Sequence, residues 1–369
     1  MTRKTAFITI FTSVGITSIV PIVPLLTSNT AIGTTKLIAH RGYSAKYFQN
    51  TYAAFKGASD DKNFYGAETD LQMDKDRHIW CSHYSNPFKD HTIMIGDKTT
   101  DEIKTLNDSG QLFRDGPMQR PLDNKAYPVG EMNPYNVDLS LPDTDALCPF
   151  YDSSDGKDGK GYLNTFIGNN KHPIIELKIE SLLNKETGVI STVELDTFIN
   201  KVFVDIKTAN DTYDDTLISR IYFISFFDDL LYAMVEHAHF ELDNTFPISH
   251  FQKLFDDGAV GQYITSINPL WKHEIGNKKD SNSNVNRWEK YLDGSWYDGK
   301  KDKTHAISID PYYALVNNSM IKKAHENHLN VDCWTADYSR TEVYEPMSLA
   351  MLANAGVDMI TQDDWFNYS

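Results

Sequence analysis

The chain has 369 residues, 41% hydrophobic, 12% aromatic and 23% charged, with 20 glycines and 14 prolines, proportions that exclude collagen-like, low-complexity and wholly disordered chains. Its 35 Lys and Arg against 51 Asp and Glu give a formal charge of −16, a surface that repels nucleic acid and anionic membranes. A small anionic ligand is compatible with that field only where a local cation inverts it.

At the start, Arg3 and Lys4 precede a stretch without charge that lasts to Lys36, and residues 6–26 (AFITIFTSVGITSIVPIVPLL) are mostly apolar. A short basic start, an apolar stretch and a polar linker read as a secretory signal or as an uncleaved N-terminal membrane anchor, with Pro21 and Pro24 loosening its end. Residues 1–35 are thus expected to be a leader and residues 36–369 the folded part. The protein is expected to be exported, either secreted or held at the outer face of the cell membrane.

From residue 36 onward, apolar β-rich runs alternate with helical stretches. The strands are expected at 36–40, 66–73, 78–83, 173–179, 221–226, 260–265, 305–310, 331–336 and 357–362. Helices are expected at 51–59, 192–207, 228–237, 317–327 and 342–355. Such alternation predicts a parallel sheet covered on its outer face. With about eight such units, an α/β fold of the (β/α)8 TIM-barrel type fits better than an open sheet.

Two stretches break the rhythm and read as insertions. Residues 107–161 hold six of the 14 prolines, and residues 271–303 are polar yet carry Trp271, Trp288 and Trp296. Within the first, DSSDGKDG at 152–159 lacks calcium-loop spacing, with Leu163 where a bidentate Glu belongs, and reads as a solvated turn. Cys81, Cys148 and Cys333 are too few for a disulfide framework; one bridge plus a free thiol and three buried thiols both remain open.

The chemistry gathers at strand ends. His40-Arg41-Gly42 follows the first strand, where a barrel's catalytic face opens. Glu68 and Asp70 stand two apart on a strand and so share a face, as do Glu176 and Lys178 after the apolar Pro173-Ile174-Ile175. Two buried like charges at that spacing need a cation between them or raised pKa values. His83 ends the run HIWCSH. Each signal alone is weak. Together, three carboxylates suit a hard divalent cation such as Ca²⁺ or Mg²⁺. Arg41 and Lys178 add donors for phosphate oxygens, and the imidazoles of His40 and His83, with an ordinary pKa of about 6.5, suit acid–base work. These parts describe metal-assisted phosphodiester cleavage.

The ordered motifs IAHRGYSAKYFQNTYAAF, GAETDLQMDKDRHIWCSH, IIELK, Ser225-Phe226, VDCWTAD and GVDMITQD resemble the glycerophosphodiester phosphodiesterase family from about residue 37 to residue 363. The resemblance implies a TIM-type barrel that hydrolyses glycerophosphodiesters to glycerol 3-phosphate and an alcohol. By the same resemblance His40 and His83 match the acid/base pair, and Glu68, Asp70 and Glu176 match the metal ligands. Arg41 and Lys178 match phosphate-binding positions, and Trp334 matches an aromatic near the glycerol moiety. Gln49 stands where the family usually has Glu, and Tyr84 where it usually has Asp. The expected partner is a small glycerophosphodiester, with no nucleic acid, and a membrane contact only through an uncleaved leader. Two other readings compete. One is a related phospholipase D-like enzyme acting on lysolipids or a glycerophosphate polymer; the other is a barrel that binds without turnover.

Overall fold

The computed structural model describes residues 34–44, 46–112, 146–178, 180–182, 192–224, 250–251, 308–310, 316–326, 330–336 and 349–362. The chain divides into two compact units, Met1–Ala31 and Ile32–Ser369, and every described residue lies in the second. Among the described residues no helix is long and apolar enough to cross a membrane.

The first strand, β1 (Lys36–Ala39), pairs in parallel with β2 (Phe64–Met73) on one side and with β10 (Met359–Gln362) on the other. From β2 the parallel pairing continues to β5 (His172–Leu177) and β6 (Tyr222–Ile224). From β10 it continues through β9 (Asn330–Ala336) and β8 (Ser308–Ile309) to β7 (His250–Phe251). The two ends of this eight-strand path, β6 and β7, lie beside each other. That is the strand arrangement of a (β/α)8 barrel, as the alternation in the sequence predicts.

Helices cover the outside. The first, α1 (Tyr52–Asp60), starts at Thr51, whose hydroxyl accepts from the Ala54 N–H, and buries Ala54, Phe55 and Ala58. A capping box of Thr99 and Glu102 starts α2 (Thr100–Asp108). Further on come α3 (Thr192–Tyr213), α4 (Asn318–Glu326) and α5 (Leu349–Ala355). Between strands and helices sits the main core, which includes Ala67, Leu71, Ile175, Leu177, Phe198, Phe203 and Ile360. Inside the ring a small cluster of Ile38, Ile174, Ile224 and Met359, with Tyr65 and Tyr222 against it, fills the barrel below the charged layer.

Period-two alternation therefore works as expected on β2 and β5. Ala67 and Leu71 face the outer core while Glu68 and Asp70 face the other way. One irregularity adjusts the register: Leu37 pairs with Phe64 but Ile38 with Gly66, a bulge at Tyr65. Gly66 is required there, because a Cβ would lie 2.0 Å from the His172 carbonyl oxygen. The buried Tyr162 hydroxyl donates to the carbonyls of Ala67 (2.7 Å) and Ile174 (3.1 Å), which clamps β2 to β5 next to the charged layer.

The run at 78–83 corrects the sequence reading. Its strand, β3 (Ile79–Cys81), pairs antiparallel with β2 and lies outside the parallel ring. A tight turn reverses the chain, with the Asp74 N–H donating to the His78 carbonyl at 2.9 Å and Arg77 left-handed at φ 68. An apolar run carries no sign of its direction, so periodicity could not tell an arm from a barrel stave. On β3 in turn pairs the short antiparallel β4 (Cys148–Pro149), a strand within the stretch read as the first insertion. Here α2, Trp80, Phe88, Ile95, Ile103, Leu112 and Leu147 form a satellite core. At 152–159 the turn reading holds: Asp152 accepts from Ser154 and from the Lys160 N–H. The helix read at 192–207 runs on to Tyr213. The leader's apolar stretch, the strand read at 260–265, the helix read at 228–237 and the second insertion lie outside the described residues.

Candidate active site

Asp70 on β2 sits directly beside Glu176 on β5, and Glu68 beside Ile174. Parallel register thus turns two separate sequence motifs into one group. One oxygen each from Glu68, Asp70 and Glu176 lies within 4.8 Å of the others. All three side chains are buried, at 1%, 0% and 5% exposure. Glu68 Oε1 is enclosed without a hydrogen-bond partner, and Asp70 Oδ1 accepts no hydrogen bond, meeting instead the Lys178 ammonium at 3.2 Å.

Cations and imidazoles surround these acids. Lys178, fully buried, also pairs with Glu176. Arg41 places its Nε 3.2 Å from Asp70 Oδ2 and donates through its backbone N–H to Glu68 Oε2 at 2.9 Å. Its Nη1 donates to Gln49 Oε1 at 2.8 Å. This double use of Arg41 depends on a left-handed backbone, with φ 55 at Arg41 and φ 82 at Gly42. A Cβ on Gly42 would come within 2.7 Å of Ala54, so α1 packs on the turn only because the residue is glycine. His40 Nε2 is 3.9 Å from Glu68 Oε2. His83 leaves the β3 arm toward the same cluster, where Asp70, Arg41, Lys178 and His40 all act on it electrostatically. Its edge meets Tyr84, ring centroids 4.6 Å apart.

The seven residues predicted from β1, β2, β3 and β5 are therefore brought together. Trp334 stands on β9, half-buried, with its indole N–H donating to the Asp310 carbonyl at 3.1 Å. Sequence reasoning passed over Asn50 as a site residue. Its side-chain amide donates to Asp70 Oδ2 (3.1 Å) and accepts from Thr69 Oγ1 (3.0 Å), so it holds the Asp70 carboxylate in place. The signal was present in the QNT tripeptide, read only for its first member. Asp310 and Asp332, buried at 2% and 3%, were also missed.

Electrostatics separate the three acids. Burial, then repulsion from Asp70 and Glu176, pushes Glu68 well above the usual carboxylate range. Burial likewise raises Glu176, although Lys178 pulls against it. Burial would raise Asp70 too, but the Lys178 ammonium and the Arg41 guanidinium outweigh it and hold that carboxyl ionised. Enclosure, then the Arg41 charge, holds His83 well below the usual imidazole range, so it is neutral near pH 7. Burial, with Asp332 and Glu176 nearby, raises Asp310.

With all three ionised, as a bound cation would favour, the carboxylates against two permanent cations carry one net negative charge in a buried site. A divalent cation among the carboxylates would leave one positive charge, which a phosphodiester monoanion neutralises. The enclosed oxygen of Glu68 and the all-oxygen donor set fit a hard cation.

Residues 40–365 match the model of the glycerophosphoryl diester phosphodiesterase family. No curated protein matches the chain. Among solved structures, a protein of Silicibacter pomeroyi provisionally assigned as a glycerophosphoryl diester phosphodiesterase has a TM-score of 0.55 at 16% identity, covering 89% of this chain and 90% of that one. An Agrobacterium tumefaciens protein with the same provisional assignment has a TM-score of 0.54 at 14% identity, covering 91% and 96%. A phosphodiesterase of Oleispira antarctica, in complex with the product sn-glycerol-3-phosphate, has a TM-score of 0.50 at 14% identity, covering 89% and 93%. At these identities the likeness establishes a shared fold.

Proposed function

This chain belongs to the glycerophosphoryl diester phosphodiesterase family, and from that premise we propose that it hydrolyses glycerophosphodiesters to glycerol 3-phosphate and an alcohol, with Glu68, Asp70 and Glu176 as the metal ligands and His40 and His83 as the proton carriers. It is an enzyme of the phosphoric diester hydrolase class. The observation that carries the finer reading is the convergence of three buried carboxylate oxygens within 4.8 Å, ringed by Arg41, Lys178 and two imidazoles. A neighbour of the same fold that holds sn-glycerol-3-phosphate as product supports the substrate class.

When bound, a divalent ion, Ca²⁺ or Mg²⁺, would supply positive charge against the phosphoryl oxygens among these buried side chains. Arg41 and Lys178 donate hydrogen bonds to the same oxygens, as fixed forks and points of charge that need no reorganisation. Neutral His83 takes the proton of the substrate's own glycerol hydroxyl as that oxygen attacks phosphorus. His40 gives a proton to the departing alkoxide, so the phosphorus–oxygen bond to the alcohol breaks and a cyclic phosphate remains. Water then opens the cycle with the roles reversed. The nucleophile is already tethered to the reacting phosphorus, which gives a high effective molarity. Asn50 keeps Asp70 aimed at the cation position, and Trp334 offers an apolar face to the glycerol carbons. Export through the leader belongs to the same reading, and would place the enzyme with extracellular glycerophosphodiesters.

Incubation of the purified protein with glycerophosphocholine, with Ca²⁺ or Mg²⁺ and with excess chelator, tests the proposal. Release of glycerol 3-phosphate that the chelator abolishes supports it. Release of phosphocholine, or no turnover across several headgroups and metals, rejects it.

A further inference from the structure

The antiparallel register of β3 and β4 sets Cys81 directly opposite Cys148. Two steps along the same ladder, the Phe150 N–H donates to the Ile79 carbonyl at 2.9 Å. The Cys148 N–H here donates to the Asn50 carbonyl at 3.4 Å, and residues directly opposite on an antiparallel ladder have Cα atoms about 4.5–5.5 Å apart and side chains on one face. That spacing falls inside the roughly 4.4–6.8 Å span of disulfides. Both thiols are buried in the same core cluster, at 0% and 2% exposure. Both also act electrostatically on the buried Tyr162 phenol. Cys333 sits elsewhere, on β9, near Asp310 and Asp332.

We propose that Cys81 and Cys148 are a modification site: they close a cross-strand disulfide when the protein folds under oxidising conditions, and Cys333 stays a free thiol. The co-reactant is another disulfide, such as a low-molecular-weight one. The thiolate of one cysteine attacks it and releases one thiol; the second cysteine's thiolate then attacks the mixed disulfide and releases the other. One S–S bond forms in the protein, one breaks in the reagent, and the two electrons and two protons of the cysteines leave on the two released thiols.

The position gives the bond a purpose. β4 is two residues long, so few ladder hydrogen bonds hold it to β3. His83 follows Cys81 by two residues, and the intervening Ser82 N–H donates to the Asp70 carbonyl at 2.8 Å. A covalent tie at Cys81 therefore fixes the arm that delivers His83 to the acids, and joins two chain positions 67 apart. This role is that of a positioning element and does not depend on which diester is cleaved.

The test refolds the full chain, with mild detergent, in oxidised and reduced glutathione. Thiols are then alkylated in denaturant before and after reduction, and peptides are mapped by mass spectrometry. One alkylated thiol before reduction and three after, with a linked peptide pair carrying Cys81 and Cys148, is the expected result. The oxidised form should unfold about 5 °C or more higher than the reduced form. That difference should survive in Cys333→Ser and vanish in Cys81→Ser. Three alkylated thiols after oxidative refolding, or a bridge that includes Cys333, overturns the proposal. Thiol counting on the wild type decides the matter even if Cys81→Ser does not fold.

Discussion

Lys178 is the most informative residue to change. Its side chain is 1% exposed, its ammonium lies 3.2 Å from Asp70 Oδ1, and it pairs with Glu176. Lys178→Met keeps an unbranched apolar stem of nearly the same length and removes the ammonium. Removing one partner of a buried ion pair costs about 3–5 kcal/mol. Because Glu176 already holds its proton unusually well through burial, it relieves part of the loss by staying neutral, so a cost of about 3 kcal/mol is expected near pH 7. With a urea dependence of about 3 kcal/mol per molar for a large domain, the midpoint should fall by about 1 M. Urea unfolding followed by tryptophan fluorescence, in chelator, measures this. The double variant Lys178→Met, Glu176→Gln removes the acid left without its cation, and should recover at least about 1.5 kcal/mol relative to the sum of the single changes. A Lys178→Met midpoint that moves by less than a third of the expected shift, or strict additivity in the double variant, would refute the reasoning.

Asp205 on α3 is buried and raised to about 6, burial outweighing its Lys201 partner. Its folded pKa lies above the ordinary 3.8, so the cost of burying its charge is absent below that value, grows as pH rises and is complete above about 6. Asp205→Asn should therefore stabilise the protein by up to about 2–3 kcal/mol at pH 7 and by nothing at pH 3.5, and equal effects at both pH values would contradict the sign. Gly42→Ala forces a Cβ to 2.7 Å from Ala54 at φ 82. It should cost about 1–3 kcal/mol and lower turnover by displacing Arg41, seen as a reduced melting temperature together with a reduced kcat/KM. His40→Ala and His83→Ala should each reduce kcat by about 10²–10⁴ with unchanged unfolding; near wild-type glycerol 3-phosphate release in either would remove that histidine from proton transfer.

Much of the site was legible because its information is local. Period-two spacing alone placed Glu68 with Asp70 and Glu176 with Lys178, and the β2–β5 register then joined the pairs. Seven of the eight parallel strands followed from alternating apolar runs and helices, whereas β7 at His250–Phe251 carried no run that the sequence reading picked out. The direction of β3 was hidden, since Ile79-Trp80-Cys81 buries equally well in either orientation and only the Asp74–His78 turn decides. Asn50 escaped because its role arises from two long-range hydrogen bonds and a left-handed backbone at φ 56. Asp310 and Asp332 escaped for a similar reason: single acids in apolar runs carry no periodic signature until β8 and β9 lie side by side. The opposition of Cys81 and Cys148, 67 positions apart in the chain, is a fact of register that spacing in the sequence does not encode.

Titration of the chelator-treated protein with Ca²⁺ and Mg²⁺ by calorimetry, in two buffers of different ionisation enthalpy, tests the acid cluster most directly. One cation per chain should bind, protons should be released near pH 7 because Glu68 and Glu176 are held protonated without it, and glycerol 3-phosphate release should return in step with binding. Glu68→Gln should bind the cation at least tenfold more weakly. Binding without proton release, equal affinity in Glu68→Gln, or full turnover in the chelator-treated protein would contradict the account.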